Sequence, residues 1–339
     1  MSDIVTAAAA AVEYDSWVRT DDGRTIPQSS ADSRIQSMLQ MLDLKPGMRV
    51  LEIGTGSGYS GALLSKAVGE NGYVVSIDID ADLVERASQL HKQANNSNIE
   101  VHAADGFAGW APSAPFDRIV AWTTPDVLPA PWIEQAAAGA VVVSPVKLAD
   151  VAAANALVRC VVGDTFENSE LHPGSFIEMA AEVITELGLP VRYVNASLPV
   201  DGAPPWWISA HLLHEQPQET ADRLLDEVRL AAPQPEFLPV DTESRLAFNA
   251  FVLAQTDSPA SLGGPVGWGV GVATSDSIAV VLPDGAGLTA GTSEAFDLLA
   301  ELVDEWHELG EPRHDRLEPT FTKSKNGWQV RARLRVTTG

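Results

Sequence analysis

Val50-Leu51-Glu52-Ile53-Gly54-Thr55-Gly56-Ser57-Gly58-Tyr59 is the stretch from which the rest of the chain is read. Its apolar start reads as a buried strand and its glycines as a tight turn. Ala62-Leu63-Leu64-Ser65-Lys66-Ala67-Val68, just beyond, reads as a helix. Glycine in such a turn admits φ > 0 and lets a ligand come close to the main chain. The helix that follows opens with unpaired N–H groups and the positive end of its dipole. A strand, glycine turn and helix in this order form a binding site, most often for a nucleotide-like cofactor.

The same alternation extends downstream. Strands are expected at 49–53, 73–78, 99–103, 117–122 and 140–145, with helices near 60–68, 81–94 and 130–137. That order implies a parallel sheet covered by helices on both faces, with ligands at the carboxyl ends of the strands. Upstream, Ile35, Met38, Leu39 and Leu42 recur at helical spacing, predicting a helix over 31–43 that Lys45-Pro46-Gly47 stops. Later the pattern changes. It predicts a strand at 154–163, a helix within 175–187 and a strand at 209–214. Residues 215–240 are polar and proline-containing, with one helical piece near 219–231. Short strands at 248–253, 268–272 and 277–282, a helix over 292–309 and a strand at 328–336 complete the chain. The reading is an α/β core at 46–216 behind a substrate-side segment at 1–45, then a linker at 217–245 and a small α+β module at 246–339.

Composition narrows the partners. The 339 residues are 45% apolar, enough for a substantial core, and carry 46 acids against 22 Lys and Arg, a net charge of −24. That balance argues against nucleic acid, whose binding needs clustered cations. The single cysteine, Cys160, excludes an intrachain disulfide and a cysteine metal cluster, and no metal site is expected. No run approaches the roughly 18 apolar residues of a membrane span. The first residues lack a basic region followed by a long apolar one, so the cytoplasm is the expected compartment.

Acidic residues at strand ends narrow the cofactor. Glu52 precedes the glycines, Asp78 ends the second strand, and Asp105-Gly106 follows the third. A carboxylate at the second position can accept both hydroxyls of a ribose; one at the third can accept from an adenine amino group. Gly56-Ser57-Gly58-Tyr59-Ser60-Gly61 also matches the dinucleotide fingerprint, but begins two residues late for it, so NAD stays the alternative. The register Glu52, Gly54, Gly56, Gly58 suits S-adenosylmethionine (AdoMet), which has no pyrophosphate. The cofactor-binding candidates are Glu52, Gly54, Thr55, Gly56, Ser57, Gly58, Tyr59, Asp78, Ile79, Asp105 and Gly106.

These segments, with Ala114-Pro115-Phe116-Asp117-Arg118-Ile119-Val120, Thr123-Thr124-Pro125 and Val142-Val143-Ser144-Pro145-Val146, resemble the protein-L-isoaspartate O-methyltransferase family over roughly residues 20–150. The resemblance implies a class I AdoMet-dependent methyltransferase fold (Rossmann-like), S-adenosylhomocysteine as product, and a carboxylate acceptor on an aspartyl-derived residue. The family carries Thr-Ile-Ser near the transferred methyl, whereas this chain has Thr25-Ile26-Pro27, with Ser29 and Ser30 beyond. Ser29, Ser30, Thr123 and Thr124 are therefore the candidate donors to the substrate carboxylate. The added length is similar to that of relatives that tailor ribosomally made peptides such as lanthipeptides, lasso peptides and graspetides. The resemblance then implies methylation of an aspartate side chain in a modified precursor peptide, the ester closing to a succinimide (aspartimide). The alternatives are isoaspartate repair and a noncatalytic AdoMet-binding protein.

Weaker signals lie outside this set. His211 and His214 fall in an expected strand, where a three-residue spacing places them on opposite faces and disfavours a shared metal. Pro204-Pro205-Trp206-Trp207 is either a peptide-binding wall or a cover over the core, and Tyr14 and Trp17 either pack or cover the active site.

Overall fold

The computed structural model describes residues 3–20, 22–184, 188–238 and 240–335. Helices α1 (Asp3–Ala11), α2 (Tyr14–Val18) and α3 (Asp32–Met41) precede strand β1 (Arg49–Ile53). Helix α4 (Tyr59–Val68), strand β2 (Tyr73–Asp78), helix α5 (Ala81–Gln93), and strands β3 (Ile99–Ala103) and β4 (Phe116–Ala121) follow. Next come a two-residue strand β5 (Leu128–Pro129), helix α6 (Ala130–Glu134), and strands β6 (Ala136–Lys147), β7 (Asn155–Val162) and β8 (Phe166–His172). The first sheet runs β3-β2-β1-β4-β6-β7-β8. Its first five strands are parallel, and β7 and β8 are antiparallel additions. β1 and β2 read as apolar runs because both faces are covered: Val50, Leu51, Ile53, Val74, Val75 and Ile77 are all buried. The reversal between β1 neighbours β2 and β4 opens the crevice that holds the site.

The second half differs from its sequence reading. Strands β9 (Ala196–Val200) and β10 (Ala203–Ala210), helices α7 (Gln218–Leu230) and α8 (Thr242–Gln255), and strands β11 (Pro259–Gly263), β12 (Gly269–Ala273), β13 (Ser277–Val281) and β14 (Gly287–Gly291) come first. They are followed by helix α9 (Glu294–Glu308) and strands β15 (Leu317–Lys323) and β16 (Gly327–Leu334). A six-stranded antiparallel sheet runs β14-β13-β12-β11-β10-β9. Residues 196–210 thus belong to the tail's sheet rather than to the core. The expected linker holds α7, whose Leu224, Leu225 and Val228 are buried on that sheet.

The expected strand at 248–253 lies inside α8. Asp241 caps that helix by accepting from Ser244 N, and Phe248, Phe251 and Val252 are buried on several sides at once. A helix buried all round loses the polar face that marks helical period. The expected strand at 209–214 stops at Ala210, and His211–Glu215 turn as a 3-10 helix with the two imidazole centroids 6.5 Å apart. No helix forms among the described residues of 175–187, since Thr124 N donates to Ile177 O and Met179 N to Thr124 O, extending the chain beside β4; residues 185–187 lie outside the described set.

The two halves share one apolar cluster, from Leu51 through Phe248 to Trp306. β16 also pairs with β5 (Trp328 opposite Leu128), and Phe166 of β8 stacks on Phe321 of β15 at 4.2 Å. Cutting the chain after Gln216 removes β16 from β5 and β11 from β10, leaving edges that favour aggregation. The truncated protein is expected to be insoluble or lack a cooperative thermal transition, as circular dichroism and gel filtration would show. Trp306→Ala, at a fully buried site, is expected to cost about 3–5 kcal/mol in urea unfolding of the whole chain.

Candidate functional site

The β1–α4 turn needs its glycines. Gly54, Gly56 and Gly58 have φ of 92°, 49° and 84°. A Cβ on Gly56 would also stand 2.5 Å from Gln28 O, so the N-terminal segment rests directly on the loop backbone. Beneath the turn, Glu52 is wholly buried; Ser76 Oγ donates to its Oε2 at 2.7 Å and Trp122 Nε1 to its Oε1 at 2.9 Å. Thr55 Oγ1 and Ser76 Oγ, 2.7 Å apart, continue the chain of hydrogen bonds. Burial pushes the Glu52 carboxyl from its ordinary 4.5 up to about 7, against the pull of hydrogen bonds from Ser60, Ser76 and Trp122.

A cavity of about 480 Å3 opens at the carboxyl ends of β1 and β2. Gly54, Gly56, Asp78 and Ile79 form one wall, with Asp80, Leu83 and Gly106 beside them. Asp78 Oδ2 accepts from Gly56 N at 2.9 Å and Oδ1 from Asp80 N at 3.0 Å. Each oxygen retains acceptor capacity, which is what a diol requires. Burial raises the Asp78 carboxyl above its ordinary value. Asp80 caps α5 by accepting from Asp82 N and Leu83 N.

The lining continues through residues Pro27 to Ala31 and Arg34, with Trp122 and Thr123 beside Gly54. Ser29 Oγ is buried without a hydrogen-bond partner, an arrangement that costs free energy until a ligand satisfies it. Ser30 also lines the cavity, and its carbonyl accepts from Tyr14 OH at 3.0 Å. Trp17 lies under Gly58 and beside His91, so both aromatics of the N-terminal segment help seat it on the loop.

Other expected residues stand outside the lining. Glu52, Thr55, Ser57, Gly58 and Tyr59 form the support beneath the loop, Tyr59 OH donating to Asp32 Oδ1 at 2.8 Å. Asp105 is exposed at the rim and accepts from Phe107 N, while its neighbour Gly106 reaches the cavity. Thr124 is buried, and its hydroxyl donates to Phe176 O at 2.9 Å. Thr123 is the threonine that faces the cavity.

The roof was not legible in the sequence. Residues 175–180 and 182–184 cover the cavity, and Glu178 fixes them. Its Oε1 lies 2.6 Å from Lys147 Nζ, the side chains being 7% and 1% exposed. Its Oε2 accepts from Val191 N and Arg192 N at 2.7 and 3.0 Å. Lys147 Nζ also lies 5.0 Å from the Tyr193 ring centroid, and Tyr193 OH donates to Asp126 Oδ1 at 2.7 Å. One signal was available: a lone lysine inside the apolar run 140–149 demands a buried anion. Among the described residues, no group of three or more His, Cys, Asp or Glu could hold a metal, and no helix is long and apolar enough to cross a membrane.

Residues 8–177 match the model of the family described as "Protein-L-isoaspartate(D-aspartate) O-methyltransferase (PCMT)". The chain belongs to this family. A similar protein is protein-L-isoaspartate O-methyltransferase 2 of Archaeoglobus fulgidus, 40% identical over 113 residues, which are 33% of this chain and 50% of that protein. The enzyme of Pyrococcus horikoshii is 37% identical over 136 residues, 39% of this chain and 61% of its own. The chain thus spans between half and two thirds of the length of these two relatives. Among solved structures, a protein-L-isoaspartate O-methyltransferase aligns over 97% of this chain and 94% of its own, at 19% identity and a TM-score of 0.48. A second, from Plasmodium falciparum and in complex with S-adenosyl-L-homocysteine, aligns over 53% of this chain and 92% of its own, at 18% identity and a TM-score of 0.43.

The fold is that of the class I AdoMet-dependent methyltransferases, with an added C-terminal antiparallel sheet. The cavity fits the family's cofactor: Asp78 in its wall offers the paired acceptors that a ribose takes.

Glu52 gives stability a definite pH dependence. Its folded carboxyl holds a proton up to about 7, while the unfolded one releases it near 4.5. Between those values the folded state binds more protons, so stability falls as pH rises, by on the order of 3 kcal/mol at most. Glu52→Gln is expected to flatten that slope in urea titrations between pH 5 and 8. Lys147→Met, which strands the Glu178 carboxylate, is expected to cost about 3–5 kcal/mol in the same measurement, and Lys147→Met with Glu178→Leu much less.

Proposed function

We propose that this chain transfers the methyl group of AdoMet to the free carboxylate of an isoaspartyl residue in a peptide or protein. Ser29 carries the reading: a buried, unpartnered hydroxyl in the lining that Thr123 and Asp78 share. When bound, AdoMet supplies an electrophilic sulfonium methyl and leaves as S-adenosylhomocysteine. A carboxylate is already ionised at neutral pH and needs no strong base. What the protein contributes is alignment and dryness. Ser29 and Thr123 donate to the carboxylate and set its direction, while Trp122, Phe176 and Met179 keep water out. Ser30 adds a further polar group beside them. In the methylated peptide, the following backbone nitrogen attacks the ester carbon and methanol departs, giving a succinimide whose hydrolysis returns aspartyl and isoaspartyl forms. A protein with this activity serves repair.

A second reading is favoured by Pro27, which stands where the family places serine, and by the added C-terminal sheet. In it the acceptor is an aspartate side chain of a ribosomally made, modified peptide, and the succinimide is the product retained. Radiolabelled AdoMet with paired peptides differing only in isoaspartate or aspartate separates the readings. Repair predicts base-labile methyl ester on the isoaspartyl peptide alone, and its absence would sink that reading. Ser29→Ala is expected to lower kcat about ten- to a hundredfold with AdoMet affinity nearly unchanged. Asp78→Asn is expected to weaken AdoMet binding about tenfold or more by calorimetry.

A further inference from the structure

A second, smaller cavity of about 50 Å3 lies against the roof. Phe176, Ile177, Glu178 and Ile184 border both cavities, so the roof is a partition between them. The far side of the small cavity is built by Leu189, Val191 and Trp268, with Asn155 at the start of β7. Trp268 belongs to the β11–β12 turn of the second sheet, far beyond residue 177 where the family match ends. Its indole is held edge-on against the buried Trp207 at 5.7 Å, yet is 41% exposed. Ile177 and Val191 are 43% and 49% exposed around the same opening. Large apolar side chains gathered at one opening mark a binding surface.

Asn155 supplies an independent observation. Its Nδ2 donates to Ser175 Oγ, but its Oδ1 is buried and has no partner. An unpaired buried acceptor is costly until a donor arrives. The small cavity therefore offers mostly apolar walls and, with the Glu178 carboxylate paired to Lys147 and accepting from the Val191 and Arg192 amides, Asn155 as the acceptor left for a ligand, which together suit an aliphatic residue presenting its backbone N–H. A water needs roughly 10–15 Å3 on this measure, so the space takes roughly four heavy atoms, a valine or leucine side chain and not an aromatic ring.

We propose that the small cavity is a subsite for one aliphatic side chain of the peptide substrate, adjacent to the residue whose carboxylate enters the main cavity. Asn155 Oδ1 accepts a backbone N–H of that peptide. The C-terminal sheet, through Trp268, thereby sets sequence preference around the methylated residue. This inference rests on the peptide-carboxylate reading above.

The test uses the full chain and isoaspartyl peptides alike except for Leu or Gly immediately before or after the isoaspartyl residue. Affinity is read by calorimetry with S-adenosylhomocysteine present, and methyl transfer separately. In one of the two positions the Leu peptide is expected to bind about tenfold more tightly, the worth of one buried aliphatic side chain. Trp268→Ala is expected to bring it down to the Gly peptide's affinity, and so is Val191→Asp, an exposed position that guards against misfolding of the first variant. Asn155→Ala is expected to weaken both peptides. Equal affinity for Leu and Gly peptides in the unmodified protein, a preference that survives both variants, or no binding of either peptide would overturn the subsite. A Leu preference lost in Trp268→Ala without any methyl transfer would support the subsite and overturn the isoaspartyl reading.

Discussion

The buried carboxyl of Glu52 is the constraint around which the site is arranged. It sits on β1 under the glycine turn, with Ser76 of β2 on one oxygen and Trp122, just past β4, on the other. Three adjacent strand ends are thereby tied to one group. Removing a carboxylate from water is expensive, and burial holds this carboxyl near neutrality rather than fully ionised. The fold accepts that cost because the same hydrogen bonds fix Ser76 and Trp122, and through them Thr55 and a wall of the cavity. The acid before the glycines therefore lies beneath the cavity wall, whereas Asp78 stands on it.

The roof is a second polar construction, and it obeys the same rule. Glu178 is buried, with one oxygen in an ion pair with Lys147 and the other accepting from the Val191 and Arg192 amides. Without helix or sheet of its own, the segment 175–180 is ordered by these contacts and by its pairing with Thr124. Met179 anchors the same segment in the main apolar cluster, and Phe176 packs against the second.

The legible part of the molecule is the part with period. β1 to β4, α4 and α5 could be placed from apolar runs and glycines, because a doubly covered parallel strand and a half-covered helix each leave a pattern. Asp78 could be read from its place at a strand end. α8 could not, since Phe248, Phe251 and Val252 are buried on several sides and mimic a short strand. The roof could not, because its order comes from residues distant in sequence. Asp105 shows the converse: its position fits the pattern, yet its side chain turns to cap Gly106–Ala108 at the rim.

These differences divide the cavity along a chemical line. The wall made by Gly54, Gly56, Asp78 and Gly106 lies within the family match and suits a cofactor of fixed structure. The match ends at residue 177, next to Glu178, and the roof continues from there toward Val191 and the second sheet. The roof is bound to a sheet that shares the core's apolar cluster. Trp268 stands on that sheet through its edge-on contact with the buried Trp207. A recognition residue so placed discriminates by shape without the entropy that a tethered, independently moving domain would lose on binding.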